Sequence, residues 1–107
     1  MTNVVELVHF TLEKGVTKED FLTTNPEMMA FLSEQEGMLY RSLCQQEDGS
    51  FIDIVYWEDM DKAKAGQKAF YESAICKTFG QYIDANSVKL EHVKVLTSSC
   101  TESENNS

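Results

Sequence analysis

Two extended stretches of this chain, residues 3–12 (NVVELVHFTL) and 51–57 (FIDIVYW), are apolar on both of their alternating sides. Successive side chains of a strand point to opposite faces. In the first stretch Val5 and Leu7 therefore share one side, and Val8, Phe10 and Leu12 the other. In the second, Ile52, Ile54 and Tyr56 oppose Phe51, Val55 and Trp57. A sheet wetted on one face alternates apolar with polar residues, and neither stretch does. Any sheet built from them needs cover on both faces.

The segments between them say what that cover is. After the turn at Lys14-Gly15, Thr17-Lys-Glu-Asp20 resembles a capping box, with Asp20 at the position usually taken by Glu or Gln. Phe21, Leu22, Met28, Met29, Phe31 and Leu32 then recur near helical spacing up to Gly37. Pro26 lacks an N–H and crowds the preceding turn, so it kinks or restarts this helix, with Asn25 as the cap of the second half. Residues 38–46 and 51–57 are strands around Glu47-Asp48-Gly49-Ser50, a strong hairpin signal. Asp59 or Asp61 opens a helix that packs through Ala63, Ala65, Ala69 and Phe70, with Gly66 weakening its interior. A short helical stretch follows over 74–83 after a break near Ser73, and residues 88–96 form a last strand.

The order β-α-β-β-α-β is the ferredoxin-like split pattern. We expect an α+β fold: a four-stranded antiparallel sheet of order 4-1-3-2 with two helices on one face. Residues 1–97 make one domain, and 98–107 (SSCTESENNS) are expected to be a disordered polar tail. Two helices cover only one face. The simplest cover for the other is the same face of a second copy, an isologous homodimer closing into a barrel.

Composition excludes several function classes. With 18 acidic residues against 9 basic ones the net charge is −9, and no basic stripe offsets it. Nucleic acid and anionic membrane are therefore not expected as partners. No apolar run is long enough to span a bilayer. No basic stretch followed by an apolar block opens the chain, so a secretory signal is not expected and a cytoplasmic location is. Cys44, Cys76 and Cys100 have no C-x-x-C spacing, which argues against disulfides and zinc. No phosphate loop or nucleophile elbow is present.

One cluster stands out. Strand 3 is expected to run parallel to strand 1, and aligning Glu6 with Asp53 then sets Phe10 beside Trp57. Strand 4 is expected to run antiparallel, and Glu6 facing His92 sets Val8 opposite Leu90. Both registers gather Glu6, Asp53, Trp57 and His92 on one apolar face with Val8, Phe10, Val55 and Leu90. Buried carboxylates cost several kcal/mol unless paired. One reading is acid–base chemistry by Glu6, Asp53 and His92, since an apolar cavity raises a carboxylate pKa. A second is a divalent metal held by the same three groups. A third is a Glu6–His92 pair that only satisfies the barrel lining. Trp57 and Phe10 offer flat surfaces to an aromatic ligand, and Arg41 could fork onto an anionic group or make a surface ion pair. His9 lies on the opposite face and reads as a satisfied structural histidine. The methionines read as gap-filling core, and neither Cys44 nor Cys76 has a base nearby in sequence.

The opening VVELVHFTLEKGVTKEDFL, the hairpin Asp48-Gly49 followed by FIDIVYWEDM, and the closing NSVKLEHVKVL resemble small bacterial proteins of the dimeric α+β barrel superfamily, akin to antibiotic biosynthesis monooxygenase (ABM)-like domains. The resemblance spans residues 4–96 and is nearest to an uncharacterised group. It implies two facing sheets, a cavity between sheet and helices, and activities that include cofactor-free oxygenation of aromatic substrates. Heme-degrading members are identified by an Asn on strand 1, a Trp ending strand 3 and a His on the second helix. Asn3 and Trp57 match the first two, but 61–83 contain no histidine, so heme degradation is not expected. Two functions remain open. One is an enzyme, a cofactor-independent monooxygenase or acid–base catalyst of a small aromatic metabolite. The other is a non-catalytic homodimer that binds a metabolite or a protein. Neither requires a cofactor or metal.

Overall fold

A computed structural model describes residues 2–99. Cys100 and the rest of the expected tail lie outside the described residues. The elements in chain order are β1 (Val4–Phe10), α1 (Lys18–Leu22), α2 (Asn25–Ser33), β2 (Met38–Gln45), β3 (Phe51–Trp57), α3 (Met60–Tyr71), α4 (Ala74–Gly80), a 3-10 turn (Ala85–Ser87) and β4 (Lys89–Lys94). The sheet order is β2-β3-β1-β4. This is the ferredoxin-like α+β arrangement.

Every neighbouring pair is antiparallel. This corrects the expectation that β3 runs parallel to β1. The crossover through the first helices brings β2 back parallel to β1, and the hairpin then reverses β3 between them. Glu6 consequently faces Val55, and Val8 faces Asp53, so the direct Glu6–Asp53 alignment does not occur. Phe10 faces Phe51 and lies at the far end of the strand from Trp57. The β4 register is as expected: Glu6 faces His92 and Val8 faces Leu90. Because the side-chain period is two, the corrected register leaves all four cluster residues on one face.

Local chemistry explains the breaks. Thr17 caps α1, its hydroxyl accepting from the Asp20 N–H at 3.1 Å. Pro26 falls in the first turn of α2, where its missing N–H costs nothing, so the helix restarts rather than kinks. Asn25 does not cap that restart. Thr24 occupies the cap position, and Asn25, the first helical residue, turns its side chain to Arg41. At the hairpin Gly49 has φ +93°, and Asp48 Oδ1 accepts from the Ser50 N–H and hydroxyl at 2.9 and 2.6 Å. Asp59 caps α3 by accepting from the Lys62 N–H at 2.9 Å.

The helices pack on the Glu6 face. Phe10, Phe21, Phe51 and Phe79 form an aromatic core whose ring centroids lie 5.2–6.0 Å apart. Met28, Leu32, Ala63 and Ile75 close it from the helix side. Ala65, expected on the packed face of α3, is exposed, and Gly66 is buried in its stead. No helix among the described residues is long and apolar enough to cross a membrane.

On the opposite face Leu7, Ile52, Ile54 and Tyr56 are half-buried, while Val93 and Tyr40 are 39% and 47% exposed. Tyr40 and Tyr56 lean together there, ring centroids 4.5 Å apart. His9 lies on this face, as its position in β1 predicts.

Candidate functional site

Between the sheet and the helices lies a cavity of about 220 Å³. The sheet contributes Glu6, Val8, Phe10, Asp53, Val55, Trp57 and Leu90 to its wall. From the helices come Phe31 and Leu32 on α2, Gly66 and Phe70 on α3, and Phe79 on α4, with Gln67, Tyr71 and Cys76 as the polar members. No Lys, Arg or His is among the lining residues. Glu6, Asp53, Trp57 and Phe10 are thus wall residues of one cavity, whereas His92 and Arg41 stand behind that wall.

Glu6 is the unusual group. Its carboxyl is pushed above the ordinary value by burial among apolar side chains, and the nearby Asp53 charge pushes the same way. The hydrogen bond and charge of His92, and the Trp57 indole N–H, pull in the opposite direction without cancelling the rise. His92 sits directly across the β1–β4 ladder, with Nε2 3.1 Å from Glu6 Oε1. An ionised carboxylate only accepts, so Nε2 carries the proton when Glu6 is charged, and a protonated Glu6 can donate to a bare Nε2. The two side chains are 13% and 11% exposed.

Asp53 is held differently. Arg41 lies across the hairpin from Val55, one diagonal step from Asp53. Its Nε donates to Asp53 Oδ1 at 2.8 Å and its Nη2 to Oδ2 at 2.7 Å, a bidentate fork. Nη1 donates to Asn25 Oδ1 at 2.6 Å, which ties the sheet to the first residue of α2. The Arg41 side chain is only 2% exposed. Three of its N–H groups are thereby spent inside the protein, and both Asp53 oxygens are engaged. The surface ion pair considered for Arg41 is in fact a buried one.

Trp57 ends β3 with its ring against α3. A Cβ on Gly66 would run into Cη2 of that ring and stand 2.8 Å from Cζ2. Glycine is therefore required there by the close approach of the indole, which the sequence registers only as an unfavourable residue inside a helix. The indole Nε1 is buried and makes no hydrogen bond as short as 3.5 Å; a longer, weaker contact of its N–H with the Glu6 carboxylate is what helps lower the Glu6 pKa. Also among those residues, no three His, Cys, Asp or Glu side chains are placed to hold a metal ion. Glu6 and His92 pair with each other while Asp53 is taken by Arg41.

Sequence reasoning missed five contributors: Asn25, Gly66, Gln67, Tyr71 and Cys76. Only Gly66 carried a signal, as a costly glycine in a helix whose preceding strand ends in tryptophan.

No family model matches the sequence, and no curated protein matches it. Solved structures do. A substituted form of SnoaB, a cofactor-independent oxygenase from Streptomyces nogalater, superposes with a TM-score of 0.73 at 16% identity, covering 92% of this chain and 97% of that one. The ActVA-Orf6 monooxygenase of Streptomyces coelicolor, in complex with nanaomycin D, gives 0.72 at 15% identity over 91% and 90%. A protein of unknown function from Nitrosomonas europaea gives 0.67 at 14% identity over 92% and 94%. The chain thus has the fold of the ABM-like monooxygenase structures, as its sequence resemblance implied.

Proposed function

We propose that this protein binds a small aromatic molecule in the sheet–helix cavity and oxygenates it without a cofactor, using Glu6 as the proton acceptor. The observation that carries this reading is a carboxylate of raised pKa on the wall of an otherwise apolar cavity, with a histidine behind it. Perturbed titratable groups in clefts are markers of chemistry, and the fold shared with two named oxygenases favours oxygenation within that class.

The chemistry asks little of the protein. A base removes one proton from an activated substrate SH2, leaving an electron-rich anion. The anion passes one electron to O2, and the radical pair combines into a C–O bond. The resulting peroxide anion takes the proton back, and the hydroperoxide so formed loses water, so that SH2 + O2 gives S=O + H2O. Glu6 takes the first proton. Its raised pKa makes it a stronger base than an exposed glutamate. His92 holds the carboxylate in place through Oε1, and Asp53, fixed by Arg41, supplies a steady neighbouring charge. Phe10 and Trp57 flank the ring.

Oxygen uptake tests this. Purified protein in chelator-treated buffer, supplied with one- and two-ring hydroxyarenes, is expected to consume O2 in proportion to product, and Glu6→Gln is expected to lose roughly a hundredfold or more. Equal uptake by both proteins refutes the role of Glu6. Binding with no uptake by either leaves the non-catalytic binding protein as the correct reading.

We also propose that a second copy covers the open sheet face. Leu7, Ile52, Ile54 and Tyr56 form a contiguous apolar band there that the helices do not reach.

A further inference from the structure

Resting on the reading of Glu6 as the base, we infer that Glu6 and His92 bind solvent protons as one unit, so that His92 decides the pH at which the base is lost. The first proton the pair takes up disables it, whichever partner holds that proton.

The sheet builds the pair. Glu6 and His92 face each other across the β1–β4 ladder, with Nε2 3.1 Å from Oε1 and side chains 13% and 11% exposed. At that separation and depth a charge on one partner acts strongly on the other. The second imidazole nitrogen, Nδ1, makes no hydrogen bond among the described residues. It is not one of their fully buried atoms, so it reaches solvent, on a strand that forms one edge of the sheet. Water can therefore protonate Nδ1 while Glu6 stays on the cavity wall.

No neighbour offers the same route. On β3, Asp53 has both oxygens held by the Arg41 fork from β2. From the helices the ionisable lining residues are Tyr71 on α3 and Cys76 on α4, and neither is hydrogen-bonded to Glu6. Along β4, Lys94 shares the His92 face but is exposed, while Lys89 and Glu91 alternate to the other face.

Counting protons gives the consequence. With Glu6 charged and His92 neutral, Nε2–H donates to Oε1 and the carboxylate is free to accept. A solvent proton on Nδ1 makes an imidazolium. Its Nε2–H then stays in place, and Glu6 is an ion-paired, weaker base. Otherwise it moves to Oε1, leaving Nδ1–H and a bare Nε2, and Glu6 is already protonated. For two coupled acceptors the first association constant is the sum of the two microscopic ones. The pair thus takes its first proton at a higher pH than either group would alone, and its second at a lower one. Imidazoles ordinarily titrate between about pH 5 and 8. Burial lifts Glu6 toward that range, and the lowering of Glu6 by the His92 charge is the coupling itself.

The 13Cδ signal of Glu6 and the ring 15N signals of His92, followed from about pH 3 to 9 without ligand, test this. We expect Glu6 to respond in two steps about one pH unit or more apart, the upper one where the His92 nitrogens move. In His92→Gln the amide N–H replaces the neutral donor but binds no proton. Glu6 is then expected to titrate in one step lying between those two. A single wild-type step at which the His92 nitrogens do not move overturns the inference and leaves His92 a neutral tether. So does a His92→Gln step outside that interval. The wild-type traces decide the matter even if the variant does not fold. In the oxygen-uptake assay the acid limb is expected at the upper step and should move down in His92→Gln, and an unmoved limb refutes the role of His92. Absence of uptake with two steps present refutes Glu6 as the base but not the shared proton.

Discussion

Removing Arg41 while leaving Asp53 in place isolates the interaction that organises the floor of the cavity. In Arg41→Met the aliphatic volume is largely kept, but the Asp53 carboxylate loses both N–H donors, at 2.8 and 2.7 Å, and Asn25 loses one at 2.6 Å. Both side chains of the ion pair are deeply buried, at 2% and 10% exposure, so water replaces little of what is lost. Breaking a buried pair from one side costs about 3–5 kcal/mol, because a charge is left uncompensated. A domain of this size has about 5–15 kcal/mol in total. With a urea slope of about 1.5 kcal/mol per molar, the midpoint should fall by about 2–3 M. The double substitution Arg41→Met with Asp53→Leu removes both charges and should recover most of that loss. Urea denaturation followed by circular dichroism measures all three proteins. If the single substitution is no worse than the double, the pair is not a buried, mutually dependent unit and the reasoning fails.

Three further outcomes follow from the same geometry. Gly66→Ala gains about 1 kcal/mol of helix propensity, but its Cβ meets the Trp57 ring and overpacking costs about 1–3 kcal/mol. A lowered melting temperature is expected, and a raised one would show that the ring has room to yield. Glu6 has a folded pKa above its reference value of 4.5, so the native state holds the proton longer than the unfolded chain does. Its contribution to stability is complete below pH 4.5 and is lost as pH rises through the folded pKa. The stability of wild type minus that of Glu6→Gln should therefore decline across that window in denaturant titrations at stepped pH, and a flat or rising difference contradicts the shift. On the open face, Ile54→Glu should convert a dimer to a monomer in light scattering. A wild-type protein that is monomeric at high concentration removes the proposed interface.

Much of this arrangement was legible in local chemistry. The Asp48-Gly49 turn fixes the hairpin register, and that register places Arg41 and Asp53 one diagonal apart on the same face. Alternation along β1 and β4 allows a register with Glu6 opposite His92, and that is the one the ladder adopts. The antiparallel β1–β3 direction is implied by the split β-α-β-β-α-β order itself, so the parallel Glu6–Asp53 alignment conflicts with the sheet that order predicts. Apolar residues on both sides of each strand do not expose the conflict. Only the path of the chain decides. Asparagine favours the cap position, which points to Asn25 as the cap, but a buried guanidinium outcompetes a helix terminus for its side-chain carbonyl. Gly66 and Trp57 are nine residues apart and meet only once α3 folds back over the sheet, so their contact depends on tertiary packing that no local pattern encodes.

The proton on Glu6 is the quantity on which the functional account turns. Following the glutamate side-chain 13Cδ resonances by NMR from pH 3 to 9, with Glu6→Gln to assign the signal, measures it without reference to any ligand. A midpoint for Glu6 above 4.5, higher than those of the exposed glutamates, is the predicted result. A midpoint at or below 4.5 would mean that the cavity holds an ordinary carboxylate, and Glu6 would lose its claim to be the base.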